Sequence, residues 1–309
     1  MNQPNSNTPF YRQMISLLRN ALDLLDEQGQ DEVFQFLKSQ QNTDGGFKDR
    51  GGRSDLYYSL FGGLMLGVWS MEHVAKGMES EGRRQKAEAK TPLPEREAAE
   101  GITLKLKQFI ANQSNSEVPG FIEKCCLVLL QKQLKTGRNS QLKSLISLGK
   151  SFWKERHSIN LSYRSFVLFL TLDAVLPFRS ILKIGAKRML TRTIIDQHSP
   201  CSEIAAKVFL QKMMNHHRSE DQELLKSFAC KTGGFKAFTH LDNADMLSTA
   251  VALFALHYSG CDLRLLKPVC LEFIQQNFID GAFISGDGDQ TADVEYTFYG
   301  LLALGVLAA

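Results

Sequence analysis

The stretch "QQNTDGGFKDRGGRSDLYYSLFGGLMLG", Gln40–Gly67, carries the reading of the fold. It leaves a helix end and passes a Gly-Gly turn closed by Phe47. It then crosses a polar loop and enters an apolar helix behind Asp55. Two later stretches keep this layout: "SFACKTGGFKAFTHLDNADMLSTAVALFAL", Ser227–Leu256, and "FIQQNFIDGAFISGDGDQTADVEYTFYGLLAL", Phe273–Leu304. Phe47 precedes Asp55 by eight residues, Phe235 precedes Asp245 by ten, and Phe283 precedes Asp293 by ten. Order and spacing kept three times mark one supersecondary unit used repeatedly.

The unit has a simple physical logic. Glycines such as Gly46, Gly234 and Gly281 let the chain leave a helix through positive φ. The following Phe packs back under the turn. The Asp stands where a helix N-terminus takes an acceptor and favours negative charge. Asp55, Asp245 and Asp293 therefore carry two readings, as N-caps or as groups with chemistry of their own.

Outward from these units the rhythm continues in weaker form. "FIANQSNSEVPGFIEKCCLVLL" repeats the helix ending at Phe109–Gln113, and Ser199-Pro200 opens another helix. Apolar helices are predicted to begin near residues 54, 118, 158, 200, 244 and 293. More amphipathic ones alternate with them near 31–40, 101–112, 140–155, 180–196, 219–229 and 264–276. Met14–Leu25 is a further helix, a cap or closing element. No period-2 strand run stands out. The charged, proline-bearing stretch 76–100 reads as an exposed insertion, a solvated loop or a docking segment. Apolar helices inside and amphipathic ones outside predict an all-α, single-domain fold over residues 1–309, an α/α toroid of about six hairpins with a central cavity. The N-terminal ends of the inner helices would then form the cavity mouth.

Composition narrows the function classes. The chain has 309 residues, with 36 basic against 33 acidic ones. That balance, with no basic run interleaved with aromatics, argues against a nucleic-acid partner. Six cysteines without a CxxC pattern read as free buried thiols of a cytoplasmic protein. The polar start "MNQPNSNTPF" does not read as a signal peptide. No apolar run reaches the roughly 20 residues of a transmembrane segment.

The repeat, Gln followed by Gly-Gly-Phe and then Asp with an apolar inner helix, resembles the prenyltransferase and squalene-cyclase repeat family. The likeness runs from about residue 31 to the end and is greatest for the β subunit of protein prenyltransferases, of the Rab geranylgeranyltransferase type. It implies an isoprenoid diphosphate in an aromatic-lined cavity, a zinc ion that activates a cysteine thiolate, and a helical-repeat α subunit as partner. The zinc ligands of that family, Asp, Cys and His, fall here on Asp245, Leu247 and Tyr296. Leu cannot coordinate and neutral Tyr is a poor zinc ligand, so no zinc and no other cofactor is expected. A rebuilt carboxylate site from Asp245, Asp293 and Glu295 would suit harder cations. The diphosphate-binding bases fall in "KAFTHLDNAD", where Asp242 and Thr239 replace them. His198 matches a phosphate-facing His, and Lys183, Lys187 and Arg188 form a basic cluster that reads first as a solvated face.

Two further family branches leave traces. "DGDQTA", Asp287–Ala292, approaches the Asp-x-Asp-Asp-Thr-Ala acid motif of class II terpene cyclases, but it lies in the loop before Asp293. In register, that acid falls on Leu247. The thioester motif Gly-Cys-Gly-Glu-Gln is absent. These residues favour a prenyltransferase-like protein without zinc-thiolate chemistry. It would bind an isoprenoid or other apolar ligand in a cavity lined by Asp55, Tyr57, Tyr58, Tyr299 and His198, or a protein partner or second copy. The alternative is an active prenyltransferase or terpene cyclase with a relocated site at Asp245, Asp293, Glu295 and Tyr296.

Overall fold

The computed structural model describes residues 9–83, 94–115, 120–135, 138–154, 161–176, 195–216 and 218–309. The protein is predominantly helical. Twelve helices and two pairs of two-residue antiparallel strands make up the regular structure of these residues. No helix among them is long and apolar enough to cross a membrane.

The apolar helices are α3 (Leu56–Arg83), α5 (Phe121–Gln133), α7 (Leu161–Val175), α8 (Cys201–Met213), α10 (Met246–Ser259) and α12 (Val294–Ala308). Between them run α2 (Glu27–Ser39), α4 (Pro94–Asn115), α6 (Arg138–Lys154), α9 (Ser219–Lys226) and α11 (Lys267–Gln276), preceded by α1 (Phe10–Leu24). The two sets differ as their sequences require. In α10 nearly every side chain from Met246 to Ser259 is buried, whereas α2 buries one stripe that includes Val33, Phe34 and Leu37. A helix apolar all round needs neighbours all round, and one with a single stripe needs them on one side.

Neighbours among the apolar set follow chain order. Helix α3 packs on α5, α5 on α7, α7 on α8, α8 on α10, α10 on α12, and α12 on α3. Helix α1 packs against α12, α3 and α7. It meets the C-terminal ends of α7, α10 and α12. A Cβ on Gly305 of α12 would sit 1.9 Å from the Leu17 carbonyl oxygen. The Phe10 amide donates to Asp173 Oδ2 of α7 at 2.7 Å, which satisfies an otherwise orphaned donor at the start of α1.

The repeated turn is built the same way three times. The amides of Phe47, Phe235 and Phe283 donate to Ser59 Oγ, Thr249 Oγ1 and Thr297 Oγ1 at 2.9, 2.8 and 3.1 Å. Each hydroxyl stands four residues after the helix-starting Asp, and each is fully buried. Thr249 and Thr297 pass the bond on to the Asp245 and Asp293 carbonyls, both at 2.7 Å. Strand β1 (Phe47–Lys48) pairs with β2 (Ser54–Asp55), which sets Phe47 opposite Asp55. Phe235 bridges Asp245 in the same way. In the third unit the pair is internal to the turn, between β3 (Phe278–Ile279) and β4 (Ala282–Phe283).

Positive φ in the first turn falls on Gly45 (φ 92°), not on Gly46; Gly234 and Gly281 adopt it as expected. The reason is close packing. A Cβ on Gly45, Gly233 or Gly281 would lie 2.1, 2.1 and 2.3 Å from the carbonyl oxygens of Lys105, Val269 and Glu32. Each turn thus rests on the backbone of the next amphipathic helix, and the last of them rests on α2.

The stretch 76–100, expected as an exposed insertion, is helical in its described parts. Residues 76–83 continue α3 and residues 94–100 begin α4, while residues 84–93 lie outside the described set. Glu, Ala, Met and Arg are strong helix formers, and a charged composition does not cancel that propensity. The helix expected near 180–196, with Lys183, Lys187 and Arg188, falls on residues that are outside the described set up to 194.

Candidate functional site

All six apolar helices and α1 surround one cavity of about 380 Å³. Phe61, Leu129, Leu170, Phe209, Leu247 and Tyr299 each contribute from a different helix of the set. Phe10 and Met14 of α1 line it as well. The Phe10 ring stands 4.3 Å from Phe209 and 4.8 Å from Phe254 in edge-on contacts. Between the neighbouring helices α3 and α12, Phe61 meets Phe298 at 4.6 Å. The lining is therefore aromatic and aliphatic, the chemistry of a small-molecule pocket for an apolar occupant. Its volume is within the range of about 300–1,000 Å³ that such pockets span.

The three repeated Asp residues are helix caps at the opposite end from α1. Asp245 accepts from the Ser248 amide at 2.9 Å, and Asp293 from the Tyr296 amide at 2.7 Å. Asp55 accepts from the Tyr57 and Tyr58 amides at 2.7 and 3.1 Å. The second oxygen of Asp245 is buried and makes no hydrogen bond. Burial pushes this carboxyl above its ordinary value, against the stabilising bonds from Ser248.

A charged network joins the first and last units beside these caps. Arg50 Nε donates to Asp293 Oδ2 at 2.8 Å, and Arg50 Nη1 to Asp289 Oδ2 at 3.0 Å. The guanidinium also lies 5.0 Å from the centre of the Tyr296 ring. The Tyr57 hydroxyl donates to Glu295 Oε1 at 2.7 Å. Burial raises the Glu295 carboxyl despite the bond from Tyr57. Burial likewise raises the Tyr296 phenol to about 12.

The sequence-predicted residues divide between two places. Tyr57, Tyr299 and Leu247 line the cavity. Asp55, Tyr58, Asp245, Asp293, Glu295 and Tyr296 belong to the caps and the network at the helix starts rather than to the lining. His198 sits exposed in the turn before α8, its amide donating to Asp196 Oδ1 at 2.9 Å, and it is not a lining residue. A local Asx turn holds it there, which the match to a family motif does not encode. Among the described residues, no three His, Cys, Asp or Glu side chains are arranged to hold a metal ion. The "DGDQTA" loop satisfies itself. Ser285 donates to Asp287, and the Thr291 amide donates to Asp289 Oδ1 at 2.9 Å.

The cavity also presents two thiols. Burial pushes Cys125 up to about 12 and Cys126 well above its ordinary value, so both stay protonated near neutrality. All six cysteines are free. Three features were not foreseen from the sequence: Arg50, the buried hydroxyls Ser59, Thr249 and Thr297, and Glu203 in the cavity wall. The hydroxyls left a signal in the recurring Asp-x-x-x-Ser/Thr spacing. Arg50 left none, since its partners are more than two hundred residues away.

No family model matches the chain, and no curated protein matches it.

Proposed function

We propose that this chain is a prenyltransferase-like α/α toroid protein whose central cavity binds an apolar ligand of the isoprenoid class, without zinc-thiolate chemistry. The order of helix neighbours supports the toroid reading, because α12 returns to α3 and the third turn rests on α2. The observation that carries the ligand reading is the aromatic cavity, walled by six helices and floored by α1. One feature speaks for binding without the zinc reaction. Leu247 and Tyr296 occupy the Cys and His positions that the resemblance assigns to zinc.

Native mass spectrometry of the full chain tests this reading. The probes are farnesyl and geranylgeranyl compounds as alcohol and diphosphate, with the hydrocarbon phytane beside them. At least one is expected to bind at a ratio of one, and Leu247→Trp, which fills the cavity, should abolish it. Failure of every probe to bind overturns the reading. So does stoichiometric zinc, in protein purified without chelator, that is lost in Asp245→Asn.

A further inference from the structure

Glu203 is the single carboxyl among the described residues that line the cavity, and no Lys, Arg or His stands among them. It lies in the first turn of α8, half-buried, with Ser202 and Pro200 beside it in the same wall. No described residue gives it a hydrogen bond or an ion pair. Burial alone holds its carboxyl above the ordinary value. The Tyr57 hydroxyl of the α3 wall already donates to Glu295. The cavity therefore offers an occupant the Glu203 carboxyl, with the Ser202 hydroxyl beside it, on a mostly apolar surface.

Taking the cavity as the ligand site argued above, we infer that its occupant is a long-chain alcohol, with the hydrocarbon chain in the aromatic pocket and the hydroxyl on Glu203. The chemistry of the wall discriminates among head groups. A diphosphate needs several charge-assisted donors, and the wall supplies none while presenting a carboxyl of like sign. Arg50, beside the helix caps, is already held by Asp289 and Asp293. A hydroxyl carries one donor, which one carboxyl oxygen satisfies, and its own oxygen can accept a hydrogen bond from the carboxyl O–H when Glu203 is neutral.

The test compares geranylgeraniol, geranylgeranyl diphosphate and phytane on the full chain by native mass spectrometry and displacement of a fluorescent apolar probe. The alcohol is expected to bind at least tenfold tighter than the diphosphate. Glu203→Leu should weaken the alcohol by about tenfold, the worth of one good hydrogen bond, and leave phytane unchanged. Retained phytane binding shows that this variant is folded. Glu203→Gln, which keeps an acceptor, should hold the alcohol within about threefold of the parent. Equal or tighter binding of the diphosphate overturns the inference, as does unchanged alcohol binding in Glu203→Leu; in both cases the cavity reading stands. If neither the alcohol nor phytane binds the parent protein, this inference falls. The cavity reading then falls with it, unless the diphosphate alone binds.

Discussion

Arg50 Nε lies 2.8 Å from Asp293 Oδ2, tying the loop of the first repeat to the cap of the last helix across 243 residues of chain. The Asp293 side chain is 6% exposed and the Arg50 side chain 41%. The bond is thus half in water, and its worth lies in keeping a nearly buried carboxylate satisfied while that carboxylate also caps α12.

Removing the guanidinium should expose this dependence. Arg50→Met is expected to destabilise the protein by about 1–3 kcal/mol, the usual cost of leaving a buried polar group without its charged partner. Solvent screening at Arg50 puts the effect toward the lower end. Asp293→Asn should cost less than Asp293→Ala, since Asn still caps the helix. Urea unfolding of the three variants orders them. Equal midpoints for Arg50→Met and the parent would show that the bridge contributes nothing.

The buried hydroxyl relay gives a second expectation. Thr249→Val and Thr297→Val keep the shape but leave the Phe235 and Phe283 amides without an acceptor. Each should cost about 1–3 kcal/mol. Thr→Ser at either position should recover most of the loss, and chemical denaturation of both series reads this out.

Gly62 and Gly300 lie directly under the turn phenylalanines. A Cβ at Gly62 would approach the Phe47 ring to 2.6 Å, and one at Gly300 the Phe283 ring to 2.3 Å. The matching position in the middle unit is Ala252. Gly300→Ala should therefore destabilise by about 1–3 kcal/mol through overpacking, although Ala is the better helix former. Ala252→Gly should cost about 1 kcal/mol through helix propensity and a small void. A stabilised Gly300→Ala in thermal melts contradicts the packing argument.

Glu295 predicts a pH dependence with a definite sign. Burial raises its folded value above the ordinary 4.5. From that pH upward the unfolded chain gives up the proton while the folded protein keeps it. Stability from this group is thus greatest in acid and falls as pH rises through the folded value. Glu295→Gln cannot titrate, so its stability relative to the parent should improve from about pH 4.5 toward neutrality. Paired unfolding curves across that range would show a constant difference if the group were not perturbed.

Much of the local architecture was legible in the residues. The predicted starts near 200, 244 and 293 fall within two residues of α8, α10 and α12. Asp245 and Asp293 cap their helices as Asp at such positions does, because the cap and the amide it serves are three residues apart in the chain. The site was less legible. Tyr57 and Tyr299 line the cavity, but the assignment of His198 to it rested on a family motif, and the turn built on Asp196 directs that residue to solvent.

The sequence by itself determined the repeated unit, its turns and its caps, since these depend on bonds that span a few residues. Tertiary structure alone decided the rest. It put α1 against the C-terminal ends of α7, α10 and α12, drew Arg50 to Asp293, and turned Glu203 into the cavity wall. The physical reason lies in the apolar helices themselves. Helices such as α10 and α12 are hydrophobic on every side, so no periodicity marks which residues face a cavity and which face a neighbour. That choice is made only when the helices pack.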